Sequence, residues 1–146
     1  MTKLVAGSDL ALRINEAFTG AIVEWNDHEV WVETSSLLSV ADFIKDDPEL
    51  DFSFLTSISA VDYLDYFELV YHLLSMRRNQ SAILKTRVHG RAEPVVPSVM
   101  KVWRGADLQE REIWDLMGIR FDEHANMKRV LLWEDFPGHP LRKDYL

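Results

Sequence analysis

Three runs rich in β-branched and aromatic residues, separated by short turns, constrain the fold of this chain most strongly. The runs are residues 52–61, 66–74 and 81–88. In the middle run, alternate residues from Phe67 to Leu73 are apolar and share one face, because successive side chains of a strand point to opposite sides. A turn at residues 76–79 makes the last two runs an antiparallel pair. The pattern therefore predicts a meander of three strands with a buried face.

Two helices are predicted before these strands. Residues 8–18 carry apolar side chains at helical spacing, and Ser8 is a candidate N-cap. The second helix follows Ser35 or Ser36, either of which is suited to cap it. It ends before Pro48, which lacks the backbone N–H that a helix interior needs.

A hairpin and a third, short helix complete the predicted core. Residues 21–25 and 29–33 alternate in polarity around Asn26 and Asp27, which tolerate the backbone angles of a tight turn. A short helix is predicted over residues 98–103, after two prolines. The chain is thus predicted to be a single two-layer α+β domain, with helices packed on a mostly antiparallel sheet and an irregular C-terminal arm.

Composition and charge exclude several function classes. The chain has 47% hydrophobic and 27% charged residues and no apolar stretch of membrane-spanning length, which predicts a soluble globular protein. It contains no cysteine, which excludes disulfides, thiolate-bound iron–sulfur clusters and cysteine-type zinc sites. The net charge of −8 argues against nucleic acid as a partner.

The charges are also separated along the chain. Residues 41–70 carry a balance of −7 and residues 71–104 a balance of +6. Two explanations remain open at this stage. The segments could make complementary contacts with other proteins, or they could pair with each other as neighbouring strands and loops.

A further helix is predicted between Asp107 and Gly118. Asp107 is a candidate N-cap with Glu110 three positions later, a capping-box pattern, and Gly118 is suited to end the helix. Arg111 and Asp115 are four residues apart, so the spacing predicts a surface ion pair between them.

The segment that follows cannot be regular structure throughout. Residues 133–145 include Pro137, Gly138 and Pro140, and the proline at 140 favours an extended backbone at His139. A segment with two prolines, aromatic residues and little helical or strand pattern is poorly able to bury itself. It is therefore a candidate for packing on another protein.

Taken together, these C-terminal residues resemble the signature of a known family, the 30 kDa subunit of respiratory complex I. The matching residues are 105–121, His124, 129–132 and 135–145, including Glu110-Arg111-Glu112-Ile113-Trp114-Asp115-Leu116 and Arg142-Lys143-Asp144-Tyr145. The sequence departs from the family at Ala125, where proline is usual, and at Asp107-Leu108, where Asn-Trp is usual.

The resemblance implies a subunit of proton-translocating NADH-quinone oxidoreductase, peripheral to the cytoplasmic side of the cell membrane and attached only through the complex. In that family FMN, iron–sulfur clusters and quinone are bound by partner subunits, and the 30 kDa subunit holds no cofactor. Its partners are other hydrophilic-arm subunits, especially the quinone-site subunit and the subunit with the terminal iron–sulfur cluster. The NADH-to-ubiquinone reaction would then belong to the complex, with no catalytic site in this chain.

The predicted partner-binding residues lie on the signature helix and in the tail. They are Glu110, Arg111, Trp114, Asp115, His139, Arg142, Lys143, Asp144 and Tyr145. Residues 1–104 are predicted to form the α+β core, and residues 105–146 the signature helix and arm of the same domain.

Two alternatives remain open. The chain could be the equivalent subunit of a related membrane-bound hydrogenase or of a ferredoxin-fed complex. It could also be a separate metal-dependent enzyme, and that function would require one of two histidine groups. The groups are His124 with Asp122 and Glu123, and His139 with Asp135 and Asp144. Neither has a compact ligand spacing, so no metal or catalytic residue is expected.

Overall fold

The computed structural model describes residues 2–145, which form three α-helices and eight β-strands. The helices are α1 (Gly7–Ala17), α2 (Leu37–Asp46) and α3 (Ala106–Met117). The strands are β1 (Lys3–Leu4), β2 (Ile22–Trp25), β3 (Glu29–Val32), β4 (Phe54–Asp62), β5 (Phe67–Ser75), β6 (Gln80–Val88), β7 (Val95–Pro97) and β8 (Arg120–Asp122). No helix within this range has both the length and the apolar character needed to cross a membrane.

Six of the strands form one mixed sheet, in the order β2-β3-β6-β5-β4 with β1 beside the start of β6. β4, β5 and β6 are antiparallel neighbours, so the predicted meander is confirmed. β2 and β3 form the predicted hairpin. Both β1 and β3 run parallel to β6, a pairing that the sequence did not predict. The α+β class is confirmed.

The core lies against one face of this sheet. On β5 the side chains of Phe67, Leu69, Tyr71 and Leu73 are no more than 1% exposed, as the alternating pattern predicted. The helices contribute their apolar sides to the same core, with Leu10 and Ile14 from α1, Leu37, Val40 and Ile44 from α2, and Ile113 from α3.

The separated charges pair with each other inside the chain. Arg77 lies 3.0 Å from a carboxylate oxygen of Asp51, and Arg91 lies 2.6 Å from one of Asp62. Lys85 lies near Glu68 on the adjacent strand. Two explanations were left open by the sequence. These ion pairs support the second one, pairing between neighbouring strands and loops.

The first two helices begin close to the predicted positions. The N-cap hydrogen bonds predicted for them are not formed. α1 begins at Gly7 rather than after Ser8, and the Gly7 N–H donates to the Asp27 carbonyl in the hairpin turn, at 3.1 Å. A Cβ on Gly7 would come within 2.0 Å of the Asn26 carbonyl oxygen. α2 begins at Leu37 after Ser36, but the Ser36 side chain makes no capping hydrogen bond.

The predicted helix over residues 98–103 is wrong. The chain instead forms β7, which pairs in parallel with β8, and continues in turns. The Ser98 N–H donates to the Asp122 carbonyl, at 2.9 Å. The Ser98 hydroxyl and the Val99 N–H both donate to Glu110, which holds this segment out of a helical conformation.

The signature helix itself is confirmed, with a different start. α3 begins at Ala106 after Gly105 and makes no side-chain cap. Asp107 lies within its first turn, so the predicted capping box with Glu110 is wrong, because the Glu110 carboxylate is engaged elsewhere. Gly118 ends the helix with a φ of 74°, in the left-handed region that favours glycine.

Candidate partner-binding surface around helix α3

Helix α3 carries two acidic side chains on its buried side. Glu110 and Asp115 are both 0% exposed, at positions where an amphipathic helix normally places apolar residues. A buried carboxylate is tolerated only when hydrogen bonds or an opposite charge compensate for the lost water. Each of the two therefore fixes a separate segment of chain against the helix.

Asp115 holds the C-terminal arm, which we define as residues 123–145. Its Oδ2 accepts hydrogen bonds from three consecutive N–H groups, those of Val130 (3.1 Å), Leu131 (2.7 Å) and Leu132 (2.9 Å). Its Oδ1 accepts from Arg129 Nη1 at 2.7 Å. Burial alone would raise the pKa of Asp115, but these donors outweigh burial and lower it, so the group is held as a carboxylate.

Arg129 extends this anchor to the turn at residues 136–138. Its Nη1 donates also to the Asp115 carbonyl, while Nη2 donates to the carbonyls of Phe136 (2.9 Å) and Gly138 (2.8 Å). The predicted Arg111–Asp115 surface pair is wrong, because Asp115 points inward. Arg111 donates instead to the carbonyls of Lys128 and Arg129.

The arm donates hydrogen bonds to carbonyl groups at the C-terminal end of α3. His139 Nδ1 donates to the Asp115 carbonyl at 3.0 Å, and the Leu141 N–H donates to the Leu116 carbonyl at 2.9 Å. The His139 ring packs on Trp114, with centroids 4.9 Å apart. A Cβ on Gly118 would lie 2.7 Å from that ring, so glycine is needed here for close approach as well as for its φ.

The last residues of the arm are bound to the core by four charged side chains, which we call the clasp: Asp62, Arg91, Arg142 and Asp144. Arg91 binds Asp62 through two nitrogens, at 2.6 and 2.9 Å, and also reaches Asp144 at 3.0 Å. Arg142 Nε donates to Asp144 at 2.9 Å, and its Nη2 donates to the Arg91 carbonyl at 2.7 Å. The Lys143 N–H donates to Asp62 at 2.9 Å.

The clasp shifts the titration of its carboxylates. The bond to Arg91, with the N–H groups of Lys143 and Leu64, holds the pKa of Asp62 far below its usual value. Hydrogen bonds from Arg142 and Arg91 lower the pKa of Asp144 to about 2. Both carboxylates are therefore charged at neutral pH. Asp62 and Arg91 were not predicted as site residues, although the charge separation between residues 41–70 and 71–104 was a signal of pairing.

Glu110 fixes a different segment, the turn that follows β7. Its two oxygens accept from Ser98 Oγ (2.6 Å) and the Val99 N–H (2.9 Å). His124 Nε2 lies 3.9 Å from Glu110 and 3.1 Å from an Asp107 carboxylate oxygen. Burial raises the pKa of Glu110 to about 7, because no basic side chain other than this histidine lies within ion-pair distance of it in the described range.

This raised pKa predicts how stability depends on pH. The usual pKa of Glu110 is 4.5, and the folded state holds its proton up to about 7. Its contribution to the free energy of unfolding is therefore complete below pH 4.5 and is lost as the pH rises through 7. The wild-type chain should lose about 3 kcal/mol of stability over this pH interval in urea denaturation, and we expect Glu110→Gln to remove this loss. An unchanged slope in the variant would contradict the assignment to Glu110.

The histidine groups of the metal hypothesis do not come together as metal sites. Within residues 2–145 no group of three or more His, Cys, Asp or Glu side chains is arranged to hold a metal ion. His124 is enclosed, and its Nδ1 accepts from the Asn126 N–H, which places the proton of a neutral ring on Nε2. Asp144, from the second group, belongs to the clasp with Arg91 and Arg142.

The arm turns apolar side chains toward solvent. Leu131, Trp133 and Leu141 are 59%, 66% and 60% exposed. Trp133 packs edge-on against Phe136, and Phe136 stacks on Tyr145. We call Trp133, Phe136 and Tyr145 the aromatic row. The sequence predicted a tail poorly able to bury itself, and these exposures agree with that prediction.

The nine predicted partner-binding residues differ in how far the chain itself covers them. Glu110 and Asp115 are enclosed. The partly covered side chains are Arg111, Trp114, His139 and Arg142, and the exposed ones are Lys143, Asp144 and Tyr145. A direct contact between any of the nine and a partner stays a prediction, as does the division at residue 104.

Comparison with known proteins identifies the family. Residues 30–146 match the family described as respiratory-chain NADH dehydrogenase, 30 Kd subunit. The chain belongs to the 30 kDa subunit family. The resemblance seen in the signature residues is therefore confirmed.

Individual relatives agree with this placement in the 30 kDa subunit family. An NADH-quinone oxidoreductase subunit from Roseiflexus sp. (strain RS-1) is 41% identical over 138 residues, which cover 92% of this chain and 79% of the relative. The corresponding NADH-quinone oxidoreductase subunit from Chelativorans sp. (strain BNC1) is 40% identical, over 94% of this chain and 71% of the relative.

One solved structure shows the same fold. It is a chain of the membrane-bound sulfane sulfur reductase, an archaeal respiratory membrane complex. The superposition has a TM-score of 0.76 at 24% identity and covers 94% of this chain and 84% of that one. At this identity the likeness concerns the fold alone.

Proposed function

We propose that this chain is a structural subunit of the peripheral arm of proton-translocating NADH-quinone oxidoreductase, on the cytoplasmic side of the cell membrane. In this proposal it holds no redox group, and FMN, the iron–sulfur clusters and quinone belong to its partners. Its family and the names of its relatives support the complex. The lack of cysteine supports the cofactor-free role, because iron–sulfur clusters are held by cysteine thiolates.

One observation supports this structural role. Hydrogen bonds and ion pairs hold the arm to its own domain, while apolar side chains of the arm are exposed to solvent. Asp115, Arg129 and the clasp hold the arm on its own domain, so its shape is set before any partner binds. Leu131 and the aromatic row then offer a preformed surface, which lowers the entropy lost on association. We infer that this surface packs against the quinone-site subunit or the subunit with the terminal iron–sulfur cluster.

Co-purification tests the assembly. An affinity-tagged chain expressed in its native cells is expected to bring down the other hydrophilic-arm subunits from detergent-solubilised membranes, identified by mass spectrometry. Hydrogenase subunits in their place would favour the related-complex alternative. Recovery of the chain alone would contradict the proposal.

The aromatic row gives a sharper prediction. Trp133→Ala is expected to weaken binding to the co-purified partner by about 2 kcal/mol, since exposed tryptophans are frequent energetic centres of interfaces. The matched control is Trp25→Ala, because Trp25 is 55% exposed on β2, an edge strand of the sheet. Binding would be measured by interferometry, and folding by thermal denaturation. Equal losses in the two variants would exclude a specific role for the arm.

A further inference from the structure

A cavity of about 280 Å³ lies between the end of α3, the turn before β7 and the arm. Its lining includes Arg120, Arg142, Trp114, His139 and Glu93. The volume is at the lower limit for small-molecule sites, so it suits one side chain better than a nucleotide or a redox cofactor.

The cavity has hydrogen-bonding capacity that the chain itself does not use. In residues 2–145 the Arg120 guanidinium makes no ion pair or side-chain hydrogen bond. Arg142 uses Nε and Nη2 in its contacts with Asp144 and the Arg91 carbonyl, which leaves Nη1 available beside Gly118. An arginine with unused donors beside a concave wall is suited to bind a carboxylate through two parallel hydrogen bonds.

The remaining lining limits what can enter. Trp114, Pro94 and Val95 form apolar walls, against which the methylene groups of a side chain can pack. Glu93 faces the same cavity and forms no ion pair in the described part of the chain. Its charge disfavours a multiply charged phosphate, whereas a single carboxylate can pair with Arg120 and accept a further hydrogen bond from Arg142 Nη1.

We propose that this cavity is a socket for a glutamate side chain of a partner protein, bound by Arg120 and Arg142 and packed on Trp114. This inference rests on the proposed assembly role. The socket would add a polar contact that fixes the position of the partner, beside the apolar contact made by the aromatic row. Trp114 also lines a second, separate cavity with Arg129 and Glu134, so the same side chain borders both the socket and the anchored part of the arm.

A small probe tests the socket without the partner. The N-acetyl N-methylamide of glutamate, whose only charge is the side-chain carboxylate, is titrated into the full chain, with the same derivative of glutamine as the uncharged control. NMR follows the Trp114 indole and the His139 ring. We expect saturable shifts with the glutamate derivative only, at a Kd on the order of 10 mM. Arg120→Gln is expected to weaken binding at least tenfold. Arg78→Gln, an exposed arginine in the turn between β5 and β6, should leave it unchanged.

The outcomes separate the socket from the assembly role. Equal shifts with both probes, or full binding by the Arg120→Gln chain, would overturn the socket even if the chain co-purifies with its complex. Specific binding of the glutamate derivative by a chain that co-purifies with nothing would keep the carboxylate site and contradict the assembly role. In the assembled complex, Arg120→Glu should weaken partner binding more than Arg120→Gln, because the reversed charge repels the incoming carboxylate.

Discussion

Replacing Asp115 by asparagine is expected to lower the free energy of unfolding by about 4 kcal/mol, one of the two largest effects in the chain. The carboxylate accepts four hydrogen bonds in a site with no exposure. An amide offers a single accepting oxygen and directs N–H donors toward other donors. It also leaves Arg129, which is 14% exposed, without its counter-charge. Urea denaturation followed by circular dichroism measures the loss.

The matched control lies on the same helix. Glu112→Gln changes an exposed carboxylate whose side chain makes no hydrogen bond or ion pair among the described residues, so stability should stay within about 0.5 kcal/mol. Hydrogen exchange adds a local measurement, because the amides of Val130, Leu131 and Leu132 should lose protection only in the Asp115 variant. Equal protection of these amides in both variants would show that Asp115 does not hold the arm.

Local pattern was sufficient to predict much of the fold. The runs that became β4, β5 and β6 alternate clearly and are joined by short turns, so their antiparallel pairing followed from the sequence. The parallel pairing of β3 with β6 did not, because it joins residues more than 50 positions apart and neither strand carries a sign of its partner. β7 was missed for a related reason, since it has three residues and ends in Pro97, which is typical of a break in regular structure.

The orientation of the signature helix was predicted wrongly at one position. Asp115 was assigned to the surface because charged side chains are rarely buried, while partner binding by the signature residues stays a prediction. Asp115 can be buried because residues 129–132 supply three N–H groups and a guanidinium that bind its carboxylate. Helical spacing predicts contacts only between residues three or four positions apart. It cannot predict contacts between residues fourteen or more positions apart.

Asp62→Asn is expected to lower the free energy of unfolding by about 3 kcal/mol at neutral pH and to release the end of the arm. Asp62 is 4% exposed and accepts from Arg91 and from the N–H groups of Leu64 and Lys143. These bonds lower its pKa in the folded state. The stability they add is therefore present above the usual aspartate pKa, near 3.9, and is lost as the pH falls below it.

The pH profile distinguishes this effect from a general weakening of the fold. The wild-type chain should lose stability as the pH falls below about 4, while the Asp62→Asn chain should lose less over the same interval. Asp65→Asn is the control, since Asp65 is exposed in the turn after β4 and its side chain makes no hydrogen bond or ion pair among residues 2–145. Hydrogen exchange at the Lys143 amide should accelerate only in the Asp62 variant. If the free energy of unfolding falls equally with decreasing pH in the wild type and in Asp62→Asn, the clasp does not cause the loss of stability in acid.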